Sequence, residues 1–265
     1  LRGGKLVAFP TETVYGLAAN ALDGLAVARI FEAKGRPSFN PLIIHIAKPE
    51  DAGALAVLND AAKDVMAAFW PGPLTIILPR HPDCPVAALA TAGLDTIALR
   101  CPSHIVARAV IGEAGVPVAA PSANASGTLS PTTPQHVATS LGDKVDLILA
   151  AGASTVGLES TVLDLSGPVP VILRPGAVTP EDIARVLGGA APAIDDGQHD
   201  APKSPGQMLR HYAPKTPVRL HATDLREGEA YLAFGPTLMG RALPENAKRN
   251  LSEKGDLNEA AANLF

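Results

Sequence analysis

Apolar residues in this chain come in short runs that halt at prolines or at knots of small polar groups. Lys5–Phe9 stops at Pro10, Val116–Ala120 at Pro121, and Val169–Leu173 runs into Arg174-Pro175-Gly176. Runs of this length suit buried strands better than helices. Leu42–Ile46, Leu74–Leu78, Thr96–Arg100, Asp146–Ala151 and Thr161–Leu165 read the same way. Helical patterns lie between them: Leu25–Lys34, Asn59–Trp70 ended by Pro71-Gly72-Pro73, and a stretch capped by Ser103 to about Ile111. Thr133-Pro134 and Thr179-Pro180 each set a capping hydroxyl before a proline at the first helical position. Strands outnumber helices and alternate with them irregularly, so the expected fold is α/β around a mixed twisted sheet.

Polar groups cluster where the first strand ends: Thr11, Glu12, Thr13 and Tyr15 follow Pro10 directly. Ligands of open α/β sheets bind outside the carboxyl ends of strands, which makes this edge the expected site. One helix later Gly35 can close the Leu25–Lys34 segment, with Lys34 and Arg36 on either side. Cations beside a helix C-terminus gain roughly 0.3–1 kcal/mol from its dipole and by themselves specify nothing. Thr96, Ala98 and Arg100 share one strand face by period two. An arginine there, if buried, must be paired or face an anion. The loop Ser122–Ser130 is built of small residues that leave N–H groups and hydroxyls open to phosphate or ribose.

Composition excludes several classes. Hydrophobic residues make 47% of 265 positions and charged ones 18%, the balance of a folded, core-rich chain. A net charge of −4 argues against a strong non-specific nucleic-acid binder. Cys84 and Cys101 form no metal-binding spacing and read as reduced thiols of a cytoplasmic protein. No run is apolar for long enough to suggest a membrane span. Neither a P-loop signature nor a G-x-G-x-x-G fingerprint occurs, so the residues alone point only to an anion-binding α/β site.

Three multi-residue motifs sharpen this. Pro10-Thr11-Glu12-Thr13-Val14-Tyr15-Gly16-Leu17, Lys34-Gly35-Arg36-Pro37 with Asn40-Pro41-Leu42, and Pro121-Ser122-Ala123-Asn124-Ala125-Ser126-Gly127 closely resemble the Sua5/YrdC/YwlC family. The likeness runs from about residue 1 to 187 and resumes at 204–214. It implies a YrdC-like domain over 1–190 with a concave cavity, a linker acting as a lid over 191–216, and a smaller, incomplete α/β C-terminal domain over 217–265. In that domain, Val218–His221 and Tyr231–Phe234 read as strands and Leu257–Phe265 as a helix.

The implied reaction condenses L-threonine, bicarbonate and ATP to threonylcarbamoyl-AMP and pyrophosphate, for modification of adenosine 37 in ANN-decoding tRNAs. The resemblance assigns Lys34 and Arg36 as catalytic cations and places Arg36, Asn40, Thr96, Ser122, Asn124, Ser130, Arg174 and Tyr212 around ATP. It places Thr13, His45, Arg100, Ala120 and Ser160 around threonine, with Arg100 on its carboxylate. Mg²⁺ is expected on the phosphates, with no protein ligands. The expected protein is a monomer that reaches tRNA through a separate transferase of the Kae1/TsaD type. Glu12 fits a structural support at least as well as a general base, because a carboxylate repels phosphates. The alternative is a YrdC-like module that binds RNA without chemistry; the negative net charge weakens it. A carbamoyl-transfer domain like that of hydrogenase-maturation proteins is a further alternative, but the paired cysteines of those proteins are absent.

Overall fold

The structure is a computed structural model; it describes residues 1–195, 216–220, 222, 224–236 and 247–263. Ten strands form one mixed sheet: β1 (Val7–Phe9), β2 (Gly16–Asn20), β3 (Ile43–His45), β4 (Leu74–Pro79), β5 (Thr96–Arg100), β6 (Val118–Ala119), β7 (Leu147–Ile148), β8 (Thr161–Asp164), β9 (Val171–Arg174) and β10 (Ala193–Ile194). Their order across the sheet is β10-β9-β8-β4-β5-β3-β6-β2-β1-β7. β3 runs parallel to β5 and antiparallel to β6, while β4 runs antiparallel to β5 and parallel to β8.

Alternation along the central strands separates two faces. Ile44, Ile76, Leu99, Ala119 and Leu163 enter the main core, packed with Ile30, Val65 and Ile183 from the helices. Each Ile, Leu or Val side chain among them contributes about 1.5–3 kcal/mol by leaving water. Their neighbours in sequence face the other way. Ile43, Ile77, Ala98 and Val162 form a small apolar floor, and Val118 and Ala120 join Phe9 and Ala18 beside it. These are two small clusters, one completed by Ala107 and Ile111, and the polar side chains of the site stand on the same face.

The helices begin and end where capping chemistry dictates. In α1 (Gly24–Lys34) Asp23 accepts from the Leu25 and Ala26 amides, and Gly35, at φ 61°, closes the C-terminus as expected. α2 (Asp60–Phe69) is capped by Asn59, and α4 (Pro134–Leu141) and α5 (Pro180–Leu187) by Thr133 and Thr179, each with proline in the first turn. α3 (Ile105–Ala114) is capped by His104, one residue later than expected. The expected cap, Ser103, instead donates its amide to Glu12 at 3.1 Å.

Other differences have simple causes. β2 escaped sequence reading because Gly-Leu-Ala-Ala-Asn lacks the β-branched residues that mark strands; backbone pairing to β1 and β6 builds it. β10, inside the stretch read as linker, likewise forms by parallel pairing to β9. The strand expected at Val218–His221 is not found at 218–220, where Arg219 instead bonds Asp224 and Glu229; His221 lies outside the described residues. The C-terminal segment holds β11 (Tyr231–Ala233) parallel to β12 (Lys248–Asn250), then α6 (Leu257–Ala262). Cys84 and Cys101 are free thiols, the second buried. Among the described residues no helix is long and apolar enough to cross a membrane.

Candidate active site

The open face of the sheet forms a cleft of about 490 Å³. Its floor is Ile43, His45, Arg100 and Ala120; Thr11, Thr13 and Gly16 line it from one loop, Pro121 and Ser122 from another. Arg36, Arg174, Ser160 and Glu159 line it as well, so three arginines from distant stretches of chain share one concavity.

Each arginine is held by backbone or a buried carboxylate. Arg36 donates from Nε to Asn40 O at 3.4 Å and from Nη2 to Pro41 O at 3.1 Å. Arg174 donates from Nε to Ser160 O and from Nη2 to Ser160 Oγ, both at 3.0 Å. That hydroxyl also meets Thr75 Oγ1 at 2.7 Å. Arg100, 4% exposed, donates from Nη2 to Glu12 Oε1 at 2.6 Å and from Nε to Gly72 O at 3.4 Å. The expectation that a buried arginine must be paired is met by Glu12, whose carboxylate is therefore engaged as a support.

Electrostatics follow from this placement. Burial pushes the Glu12 carboxyl up, but the charge and hydrogen bond of Arg100 outweigh it and leave the group below the ordinary glutamate value. His45 lies opposite Arg100 across the β3–β5 ladder and packs edge-on against Phe9 at 6.1 Å. Burial, then the Arg100 charge, lower its pKa to about 3, so His45 is a neutral wall of the cleft.

The loop after β6 is knitted to the loop after β1. Gly16 bridges Ser122, Leu17 N donates to Pro121 O, and Tyr15 N to Pro131 O, both at 2.8 Å. Thr11 Oγ1 meets Thr13 Oγ1 at 2.9 Å and bonds the Val14 carbonyl and amide, fixing both hydroxyls. Asn40 is fully buried, and its side-chain amide has no partner among the described residues.

Of the residues named from sequence, Arg36, Ser122, Arg174, Thr13, His45, Arg100, Ala120 and Ser160 line the cleft. Lys34 does not; its ammonium donates to the Ser122 and Asn124 carbonyls. Asn124 bonds its own loop through Ala125 O and Thr128 O, and Ser130 donates to Glu159. Thr96 sits at the far end of β5, outside the lining. Tyr212 and the lid segment 204–214 lie outside the described residues. Sequence reading missed Glu159 because it looked beyond the carboxyl ends of strands, whereas Glu159 precedes β8. The antiparallel pairing of β8 with β9 is what brings it to the edge where Arg174 emerges.

Fold and cleft together define an α/β protein with a cleft lined by three arginines on one face of a mixed sheet. The family profile described as "Telomere recombination" (Sua5, YciO, YrdC) matches residues 1–176, and one described as "Threonylcarbamoyl-AMP synthase, C-terminal domain" matches 178–265. The chain belongs to the Sua5/YciO/YrdC family. It is 50% identical over 221 residues to the threonylcarbamoyl-AMP synthase of Pyrococcus abyssi, covering 82% of this chain and 64% of that protein. To the Bacillus subtilis protein of the same name it is 49% identical over 227 residues, covering 83% of this chain and 64% of that protein. The chain thus spans a little under two thirds of these curated relatives. The crystal structure of P. abyssi Sua5 complexed with L-threonine superposes with a TM-score of 0.86 at 40% identity, over 100% of this chain and 81% of that one.

Proposed function

We propose that this chain condenses L-threonine, bicarbonate and ATP into threonylcarbamoyl-AMP and pyrophosphate, an L-threonylcarbamoyladenylate synthase activity that supplies the threonylcarbamoyl group for tRNA. The carrying observation is that Arg100 and Arg174, each at the end of a strand, and Arg36, just past the C-terminus of α1, line one cleft. The names of the relatives and the threonine complex of P. abyssi Sua5 support the choice of substrates.

Arg100 would grip the threonine carboxylate through two parallel N–H bonds, which a planar guanidinium provides and lysine does not. Neutral His45 and the Thr13 hydroxyl would border the amino acid without adding charge. The threonine amine, converted to a carbamate by bicarbonate with loss of water, would attack the α-phosphate, and pyrophosphate would leave in line. Arg36 and Arg174 would neutralise the phosphate oxygens as charge shifts to the leaving group. Lys34 would act indirectly, by fixing the Ser122–Asn124 backbone that borders the nucleotide.

Magnesium would supply further charge neutralisation on the phosphates. One carboxylate, Glu159, lines the cleft, and no cluster of three or more His, Cys, Asp or Glu that could hold a metal exists among the described residues. That donor set fits a cation carried mainly by ATP. Transfer to tRNA would fall to a separate protein of the Kae1/TsaD type. The test is pyrophosphate release from ATP that requires both threonine and bicarbonate. Release independent of threonine would refute the proposal.

A further inference from the structure

The geometry points to Glu12 as the residue that sorts anions within the cleft, holding Arg100 end-on to a carboxylate while denying that arginine to phosphate. This rests on the proposed reading of the Arg100 recess as the amino-acid half of the site. Glu12 Oε1 takes Nη2 of Arg100 at 2.6 Å, and Gly72 O takes Nε at 3.4 Å. Those two nitrogens form one side of the guanidinium, so that side is closed by protein. Nη1 has no hydrogen bond among the described residues, and Arg100 lines the cleft. The end-on fork of Nη1 and Nη2 is left toward the ligand, the edge that receives a planar carboxylate bidentately.

Glu12 is itself fixed. Its second oxygen accepts from the Ser103 amide at 3.1 Å, and its backbone carbonyl accepts from Val156 N at 2.8 Å. The side chain is 8% exposed, so its charge is little screened. A paired Arg100 can still bind a monoanion through directed hydrogen bonds. A dianionic phosphate arriving there would meet the Glu12 charge a few ångströms behind the guanidinium. A single carboxylate would thereby keep ATP or pyrophosphate from occupying the threonine recess.

The test is calorimetric titration of the folded chain with inorganic phosphate and, separately, with L-threonine. Glu12→Gln keeps an acceptor for Arg100 but removes the charge; it is expected to bind phosphate at least tenfold more tightly than the parent, and Glu12→Gln/Arg100→Gln is expected to lose that gain. Glu12→Asp keeps the charge but cannot reach Arg100 and Ser103 N together; it is expected to exclude phosphate from the Arg100 recess as the parent does while binding threonine at least tenfold more weakly. Unchanged phosphate affinity in Glu12→Gln, or a gain that persists without Arg100, overturns the inference. If Glu12→Gln does not fold, Glu12→Asp decides, and parental threonine affinity in it counts against the inference. A parent protein that binds no threonine would instead refute the reading of the recess, and the phosphate comparison would still judge the role of Glu12.

Discussion

The ammonium of Lys34 donates to the carbonyl oxygen of Ser122 at 2.5 Å, joining residues 88 positions apart in the chain. It donates equally to Asn124 O, and the Lys34 carbonyl accepts from Ser126 N at 2.8 Å. The end of α1 and the Ser122–Ser126 loop are thus one unit. Burial and the nearby Arg36 charge hold the Lys34 pKa well below the usual lysine range.

Lys34→Met keeps the aliphatic volume and removes the donor. Leaving two buried carbonyls unmet costs about 1–3 kcal/mol each, partly offset by no longer burying an ammonium. The net stability change is expected to stay within about 2 kcal/mol, while amide exchange at Ala123 and Ser126 accelerates at least tenfold. Parental exchange rates in that loop would show that Lys34 does not hold it.

Acid should destabilise the protein in two overlapping windows. His45 stays neutral in the folded state down to about 3, while its unfolded form takes a proton near 6.5. Below 6.5 the unfolded chain therefore binds a proton that the native state refuses, and stability falls with pH. At about 1.4 kcal/mol per pH unit, the loss from 6.5 to 4.5 is roughly 2–3 kcal/mol. Glu12, held below the ordinary glutamate value of 4.5, adds its own loss only beneath that pH. Urea denaturation at stepped pH should show the first loss in the parent and not in His45→Gln; identical profiles would contradict the neutral assignment.

Gly176 is a packing requirement. A Cβ there would stand 2.5 Å from Thr161 N and 2.6 Å from Glu159 O, both backbone atoms that cannot swing aside. Gly176→Ala should cost about 1–3 kcal/mol or more and displace Glu159 and Ser160 from the cleft. Gly167→Ala, with nothing within 4 Å, is the control and should be near neutral. Equal denaturation midpoints for the two would rule out the close approach.

The contrast between Arg100 and Glu159 shows what the sequence could reveal. Period two on an apolar strand placed Arg100 on a face where burial would demand a partner, and the loop after the first strand held that partner, Glu12. Proline and glycine stops located most strands and four helices because local chemistry decides them. Glu159 and Thr75 were illegible because their roles come from pairing among β4, β8 and β9, strands up to a hundred residues apart. The role of Lys34 as a catalytic cation came from the family resemblance; spacing alone shows that a charge is present and not that the Ser122 and Asn124 carbonyls close over it.

The central claim is that one cleft holds two distinct anion subsites. Steady-state pyrophosphate release measured against ATP and threonine, for the parent, Arg36→Ala and Arg100→Ala, tests it most directly. Loss of a charge-assisted contact of about 1.5–3 kcal/mol predicts a 10- to 100-fold change in each variant. Arg36→Ala should show it chiefly toward ATP and Arg100→Ala chiefly toward threonine. If both variants release pyrophosphate with the parent's dependence on both substrates, the two-subsite cleft is contradicted.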